Sequence, residues 1–230
     1  DLAALLMLGA LNSVCLSGAC RPSLMKRLIN KLHHAQRANT RKGSRRNIAV
    51  HYDLGNDFFG LWLDDTMSYS SALFVAQDED IVVGQRRKYL RLAQQLDLRP
   101  GDRVLEIGCG WGGFAEIAAA EFGCHVVGVT LSAEQAAFAQ DRMVRAGLKA
   151  KVDIRIQDYR DVEGQFDKIA SIEMFEAVGE KFWPTYLEIL KARLKPGGKA
   201  ALQIITIDDA QFENYRSNPD FVQRYIFPGG

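Results

Sequence analysis

The run Arg103-Val-Leu-Glu-Ile-Gly-Cys-Gly-Trp-Gly-Gly-Phe-Ala-Glu-Ile-Ala118 constrains the fold of this 230-residue chain more than any other stretch. An apolar strand enters a turn with glycines at 108, 110 and 112, and a helix of small and apolar residues follows. Glycine leaves each of those turn positions without a Cβ, so the chain can turn sharply and a ligand can lie against bare backbone. The first amides of the following helix carry its positive end, which suits a nucleotide-like ligand with a carboxylate or phosphate.

Beyond this unit, apolar strands and amphipathic helices alternate. Strands are predicted at 103–107, 125–129, 152–157, 167–172 and 199–206, and helices at 80–97, near 112–122, 132–146 and 183–194. Arg99-Pro-Gly101 and Lys195-Pro-Gly-Gly198 read as the turns before the first and fifth strands. Such alternation predicts an α/β fold, a doubly wound, mostly parallel Rossmann-like sheet that binds its ligand at the carboxyl ends of the strands. Residues 51–74 are dense in aromatics and carboxylates without a clean period, which predicts a segment folded over a pocket.

The net charge of +1 hides an asymmetry. The first 50 residues hold nine Lys/Arg and a single Asp, leaving 20 basic and 27 acidic residues for the rest. Residues 2–20 are apolar but interrupted by Asn12, Ser13, Ser17 and Gly18, which favours a short buried or interfacial helix over a signal peptide or membrane span. Pro22 opens a basic amphipathic helix that suits either its own domain or an anionic membrane surface, and Arg41 to Arg46 reads as a basic linker. No recognised nucleic-acid motif accompanies the basic arm, so no nucleic-acid partner is expected. Cys15, Cys20, Cys109 and Cys124 show no metal-ligand spacing and read as reduced thiols of a cytosolic protein.

Three details bear on the ligand. The glycine spacing is G-x-G-x-G, whereas dinucleotide sites favour G-x-G-x-x-G. The second strand ends Gly128-Val-Thr-Leu-Ser132, so Thr130, Ser132 and Gln135 stand where a dehydrogenase presents an acid. Gln157-Asp-Tyr159 places a carboxylate, an amide and an aromatic after the third strand, suited to an adenine. Thr130 and Ser132 also read simply as caps of the next helix. The set favours S-adenosylmethionine over a nicotinamide cofactor.

The chain resembles the cyclopropane-fatty-acyl-phospholipid synthase and mycolic acid methyltransferase family. The resemblance rests on Tyr52-Asp-Leu-Gly-Asn-Asp-Phe-Phe59, Tyr69-Ser-Ser-Ala-Leu-Phe74, Leu105-Glu-Ile-Gly-Cys-Gly-Trp-Gly112, Val129-Thr-Leu-Ser132, Ser171-Ile-Glu-Met-Phe-Glu176 and Tyr225-Ile-Phe-Pro-Gly229. It implies methyl transfer from S-adenosylmethionine to an unsaturated phospholipid acyl chain, with proton loss and ring closure in the best-known members. It also implies a cytoplasmic enzyme peripherally bound to the inner face of the membrane.

By resemblance, the cofactor set is Tyr69, Ser70, Glu106, Gly108, Gly110, Thr130, Leu131, Gln135, Asp158, Tyr159 and Ile172. Tyr69 and Ser70 cover the methionine end, and Tyr159 lies beside the adenine. The reaction falls to Glu176, Tyr69, Gln203 and Ser71, with Glu176 helping to hold a bicarbonate base and Glu173 a weaker candidate. Aromatic faces at Tyr69, Phe175 and Trp111 suit a carbocation.

Three positions depart from the family's pattern. Ser71 replaces a cysteine, Ala177 and Gln203 each replace a histidine, and an amide at 203 bonds to an anion without titrating. Methyl- or methylene-branched products therefore stand beside a cyclopropane, and a small-molecule methyltransferase or a non-catalytic lipid- or cofactor-binding subunit is the further alternative. Sheets of this type end in an antiparallel hairpin that residues after 206 do not supply. The expectation is thus a partial helical extension over 1–50 and a partial catalytic domain over 51–230.

Overall fold

The computed structural model describes residues 1–12, 39–52, 54–217 and 222–227. In chain order come α1 (Leu2–Leu11), α2 (Arg41–Tyr52), α3 (Asn56–Gly60), α4 (Ile81–Leu96), β1 (Arg103–Ile107), α5 (Gly113–Ala120), β2 (His125–Thr130) and α6 (Ala133–Arg145). Then follow β3 (Val152–Ile156), β4 (Phe166–Ile172), α7 (Trp183–Arg193), β5 (Leu194–Gln203) and α8 (Asp209–Ser217).

The sheet runs β3-β2-β1-β4-β5, and every pairing in it is parallel. The chain winds outward from β1 through β2 to β3, then returns to β4 on the other side of β1. The reversal between β1 and β4 leaves a crevice at their carboxyl ends, which is where sheets of this kind bind ligands.

Successive residues of the central strands serve opposite faces. Val104 and Ala170 join Leu92, Leu96, Phe114, Ala118 and Ala139 in a core under α4, α5 and α6. Their neighbours Leu105 and Ile169 join Phe166, Tyr186 and Leu190 in a second core under α7. Helix α4 starts where the Asp80 side chain accepts from Val82 N at 2.7 Å, and it stops where Asp97 turns left-handed. Helix α6 starts at Ser132, whose hydroxyl accepts from Gln135 N at 3.2 Å. Arg142 and Arg145 in its last turn complement the negative end.

Several expectations are corrected. Residues 41–46 open a helix, because Thr40 Oγ1 accepts from Gly43 N at 3.1 Å and Arg41 pairs with Asp161 at 2.7 Å. Of the apolar N-terminal stretch, Leu2–Leu11 is helical as expected and none of it is buried, which removes the buried alternative and leaves the interfacial one. The fifth strand runs Leu194–Gln203, not 199–206. The pairing passes from Phe166↔Leu194 to Lys168↔Lys199, so the predicted turn over 195–198 bulges out of the strand it was expected to precede. The predicted helix after Pro22 lies outside the described residues, as do Cys15 and Cys20; Cys109 and Cys124 are free and buried. Among the described residues no helix is long and apolar enough to cross a membrane.

Phe114 is wholly buried where α4, α5 and the sheet meet. Phe114→Ala is expected to cost about 3–5 kcal/mol of stability, read from urea unfolding curves.

Candidate active site

The glycine turn is built on left-handed backbone, with φ of +79° at Gly108, +51° at Gly110 and +85° at Gly112. A Cβ on Gly108 would lie 2.8 Å from Met174 Cγ, so only glycine lets the end of β4 close over the turn. A Cβ on Gly110 would meet nothing within 4 Å, because that position faces open space. Gly108 N and Cys109 N both donate to Val129 O, at 2.9 and 3.0 Å, and pin the turn to β2. Among the described residues, Gly110 N and Trp111 N make no hydrogen bond and stay available to a ligand.

A cavity opens above this turn. All eleven residues expected around the cofactor line it: Tyr69, Ser70, Glu106, Gly108, Gly110, Thr130, Leu131, Gln135, Asp158, Tyr159 and Ile172. Thr130 Oγ1 donates to Gln135 Oε1 at 2.7 Å and accepts from Ser132 N at 3.2 Å, so the cap reading of Ser132 and the site position of Thr130 coexist. The roof comes from residues 52–71. Tyr52, Phe59, Trp111 and Tyr69 pack ring against ring at centroid distances of 5.2–6.4 Å, and Trp111 Nε1 donates to Asn56 Oδ1 at 2.7 Å.

Charge in the cavity is unevenly satisfied. Glu106 is buried near the end of β1, and its Oε2 has no hydrogen-bond partner. Desolvation raises its pKa to about 8, against opposing pulls from the Ala115 amide, Arg142 and Lys88. Lys88 is buried too: desolvation lowers its pKa to about 8, and its Nζ donates to Ser70 Oγ at 2.5 Å and to Gln85 Oε1.

Asp158 lines the cavity in the grip of an arginine. Burial opposes its charge, but Arg160 outweighs that and holds its pKa below the ordinary carboxylate value. Arg160 Nε and a terminal nitrogen donate to its two oxygens at 2.8 and 2.6 Å.

The residues expected for the reaction separate. Tyr69 lines the cavity. Ser71 N and Gln203 Nε2 donate to Glu173 Oε1 at 2.9 and 2.8 Å, and it is Glu173, the weaker candidate, that lines the cavity. Glu176 stands outside the lining. Its Oε1 accepts from Ile205 N, its Oε2 is buried and unpartnered, and desolvation raises its pKa. Phe175 is also outside, its ring stacked on Trp183 at 5.3 Å.

Sequence reasoning missed the wall made by α2. Asn39 Nδ2 donates to Ala177 O and Asn39 Oδ1 accepts from Asn47 Nδ2, each at 2.8 Å, while Arg160 reaches Asn39 O and Ser44 Oγ at 3.1 Å. The only sequence signal was polar residues within a run that composition assigned to a linker.

The family described as mycolic acid cyclopropane synthetase matches residues 39–230. The chain belongs to that family. It is 45% identical over 199 residues to the tuberculostearic acid methyltransferase UfaA1 of Mycobacterium tuberculosis, a match covering 84% of this chain and 46% of the relative. It is 44% identical over 180 residues to the cyclopropane-fatty-acyl-phospholipid synthase of Escherichia coli K12, covering 78% of this chain and 45% of the relative. Among solved structures, the cyclopropane synthase MmaA2 of Mycobacterium tuberculosis superposes with a TM-score of 0.73 at 30% identity, covering 81% of this chain and 68% of that one. The mycolic acid cyclopropane synthase CmaA1 complexed with SAH and CTAB gives 0.72 at 28% identity, with the same coverage. The chain spans about half the length of the curated relatives it matches.

Within this synthetase-family fold, Glu106 has a testable pH signature. Folding raises its pKa from 4.5 to about 8, so its stabilising effect is complete below the lower value and lost as pH rises through the upper one. Between about pH 5 and 9 the ligand-free protein is expected to lose melting temperature more steeply than Glu106→Gln. Parallel pH–melting curves for the two proteins would reject this assignment.

Proposed function

We propose that this protein is an S-adenosylmethionine-dependent methyltransferase that adds a methyl carbon to the double bond of an unsaturated phospholipid acyl chain. The observation that carries the reading is the cavity. It combines a Cβ-free turn with two unbonded amides, a buried carboxylate oxygen without a partner, and an aromatic roof.

S-adenosylmethionine fits that set. Its cationic groups complement the orphaned oxygen of Glu106, and its carboxylate suits the free amides of Gly110 and Trp111. When bound, it supplies the methyl group and the positive charge. Thr130 and Gln135 at the end of β2 offer hydroxyl and amide groups to a ribose, and Tyr159 offers a ring to an adenine.

The chain's own residues then serve the alkene. A π bond is a weak nucleophile, so the two reactants have to be held close and in line, with water excluded. Tyr69 and Trp111 present aromatic faces to the cation formed by methyl addition. The names of the relatives support a lipid acceptor, one a cyclopropane-fatty-acyl-phospholipid synthase and another a tuberculostearic acid methyltransferase, at nearly equal identity. A branched product in place of a ring is the second reading, favoured by Gln203, an amide that holds an anion without titrating.

Incubation with methyl-labelled S-adenosylmethionine and unsaturated phospholipid vesicles is expected to place label in the lipid, and mass spectrometry of the chains separates ring, methylene and methyl products. Gly108→Val should abolish labelling, because its side chain meets Met174 and its backbone resists positive φ. Cofactor binding without any transfer to lipid would support a non-catalytic subunit instead.

The basic segment is read as the contact with anionic headgroups of a cytoplasmic membrane face. Replacing Arg41, Lys42, Arg45 and Arg46 with glutamine is expected to weaken binding to anionic vesicles by about tenfold or more, each charge near such a surface being worth about 1 kcal/mol. Loss of the exposed Arg41–Asp161 pair should barely affect stability. Unchanged vesicle sedimentation would count against the membrane reading.

A further inference from the structure

We propose that Glu173 is the base that takes the proton from the methylated acyl chain, so that the reaction runs on a carboxylate built into the fold. The inference rests on the methyl-transfer reading above.

Glu173 follows the last residue of β4, at the switch point between β1 and β4. Its φ of +46° is a left-handed conformation that residues with a side chain seldom adopt, and such outliers gather at functional sites. The backbone is pinned there because Glu173 N donates to Gln203 O at 2.8 Å. The side chain is pinned as well. Oε1 accepts from Ser71 N at 2.9 Å and from Gln203 Nε2 at 2.8 Å, so the ends of β4 and β5 and the roof segment converge on one oxygen. Oε2 makes no hydrogen bond among the described residues, and the residue lines the cavity beside Tyr69, Ser70 and Met174.

The other carboxylates are committed elsewhere. Glu106 lines the cavity at the glycine turn, where its unpartnered oxygen is assigned to the cationic cofactor, both oxygens of Asp158 accept from Arg160, and Glu176 accepts from Ile205 N outside the lining. Lys88, the nearby buried cation, donates to Ser70 Oγ and Gln85 Oε1 and makes no ion pair at contact distance among the described residues, while Glu173, Asp64 and Glu106 favour its charged form from further away. Gln203 is a positioning residue: its amide donates to Glu173 Oε1 and has no proton-accepting role.

The step balances without a further reactant. Methyl transfer moves the positive charge of the sulfonium onto the acyl chain. A C–H bond of the added carbon then breaks, its electron pair forms the new C–C bond of a ring or the π bond of a methylene, and the proton goes to Glu173 Oε2. A bicarbonate at this place would compete with Glu173 Oε1 for the N–H groups of Ser71 and Gln203.

The test uses labelled S-adenosylmethionine and unsaturated phospholipid in buffer purged of carbon dioxide. The wild-type protein is expected to work at full rate there. Glu173→Gln should lose about 10²–10⁴-fold in turnover, the usual worth of a positioned base. Its cofactor affinity by calorimetry and its melting temperature should stay close to wild type. Glu173→Gly, which accepts the positive φ, should regain turnover when bicarbonate or formate is added, and Glu173→Gln should not. A wild-type rate that collapses without bicarbonate, or a Glu173→Gln rate within a few-fold of wild type, overturns the proposal. Absence of rescue in Glu173→Gly assigns the residue to holding the roof segment and overturns it equally. Failure of the wild-type protein to label lipid, with or without bicarbonate, would instead bring down the methyl-transfer reading itself.

Discussion

The approach of Gly108 to Met174 governs the geometry of the site. Its missing Cβ lets the end of β4 lie directly on the turn after β1, at a separation a β-carbon would reduce to 2.8 Å. Because the strand order reverses between these two strands, the contact also fixes the floor of the crevice. Glu173 precedes Met174, so the same contact sets the depth at which its carboxylate enters the cavity. The turn holds its shape because Gly108 N and Cys109 N are spent on Val129 O, and this leaves the next two amides for a ligand. One steric exemption thus brings the unbonded amides of Gly110 and Trp111 and the Glu173 carboxylate to the same cavity.

The buried charges divide into two kinds. Asp158 and Arg160 neutralise each other, and Arg160 carries the connection onward to α2 through Asn39 and Ser44. That arrangement is structural: it closes the cavity wall with every partner present. Glu106 and Lys88 are shifted toward their neutral forms by burial, which outweighs the opposite charges around them, and neither makes a salt bridge among the described residues. Unpaired burial is costly unless a ligand supplies the missing charge. A cationic ligand would do this for Glu106, whereas Lys88 donates to Ser70 in the roof and to Gln85 on α4.

The fold was legible in the sequence because period and punctuation agree. Five apolar strands, the Ser132 and Asp80 caps and the glycine turn each specify locally what the sheet needs globally. The cavity lining was legible for the same reason: its residues follow strand ends in sequence order. The carboxylate that enters the cavity was harder. Glu173 and Glu176 sit three residues apart on one loop, and sequence alone does not tell which enters the cavity. The choice depends on a left-handed residue and on hydrogen bonds from Ser71 and Gln203, 102 and 30 positions away. Helix α2 was misread because a run of Arg, Lys, Gly and Ser lacks an apolar stripe. Its place is set instead by polar contacts with Ala177, Asp161 and Arg160.

A base at Glu173 does not by itself choose between ring and branch, since both products lose a proton from the added carbon. What differs is the position of the positive charge at that moment. With the charge still on the neighbouring carbon, the C–H electrons close a three-membered ring. After a hydride has moved across, the charge sits on the methylated carbon and the same electrons form a methylene. A carboxylate already held by two N–H groups needs no binding event before it acts, which shortens the life of the first cation. Aromatic faces work in the opposite direction, because the quadrupoles of Tyr69 and Trp111 stabilise the cation and lengthen its life. Under the proposed reaction the product would report the balance between the Glu173 clamp and the aromatic roof, and Ser71, which joins the clamp from the roof segment itself, would couple the two.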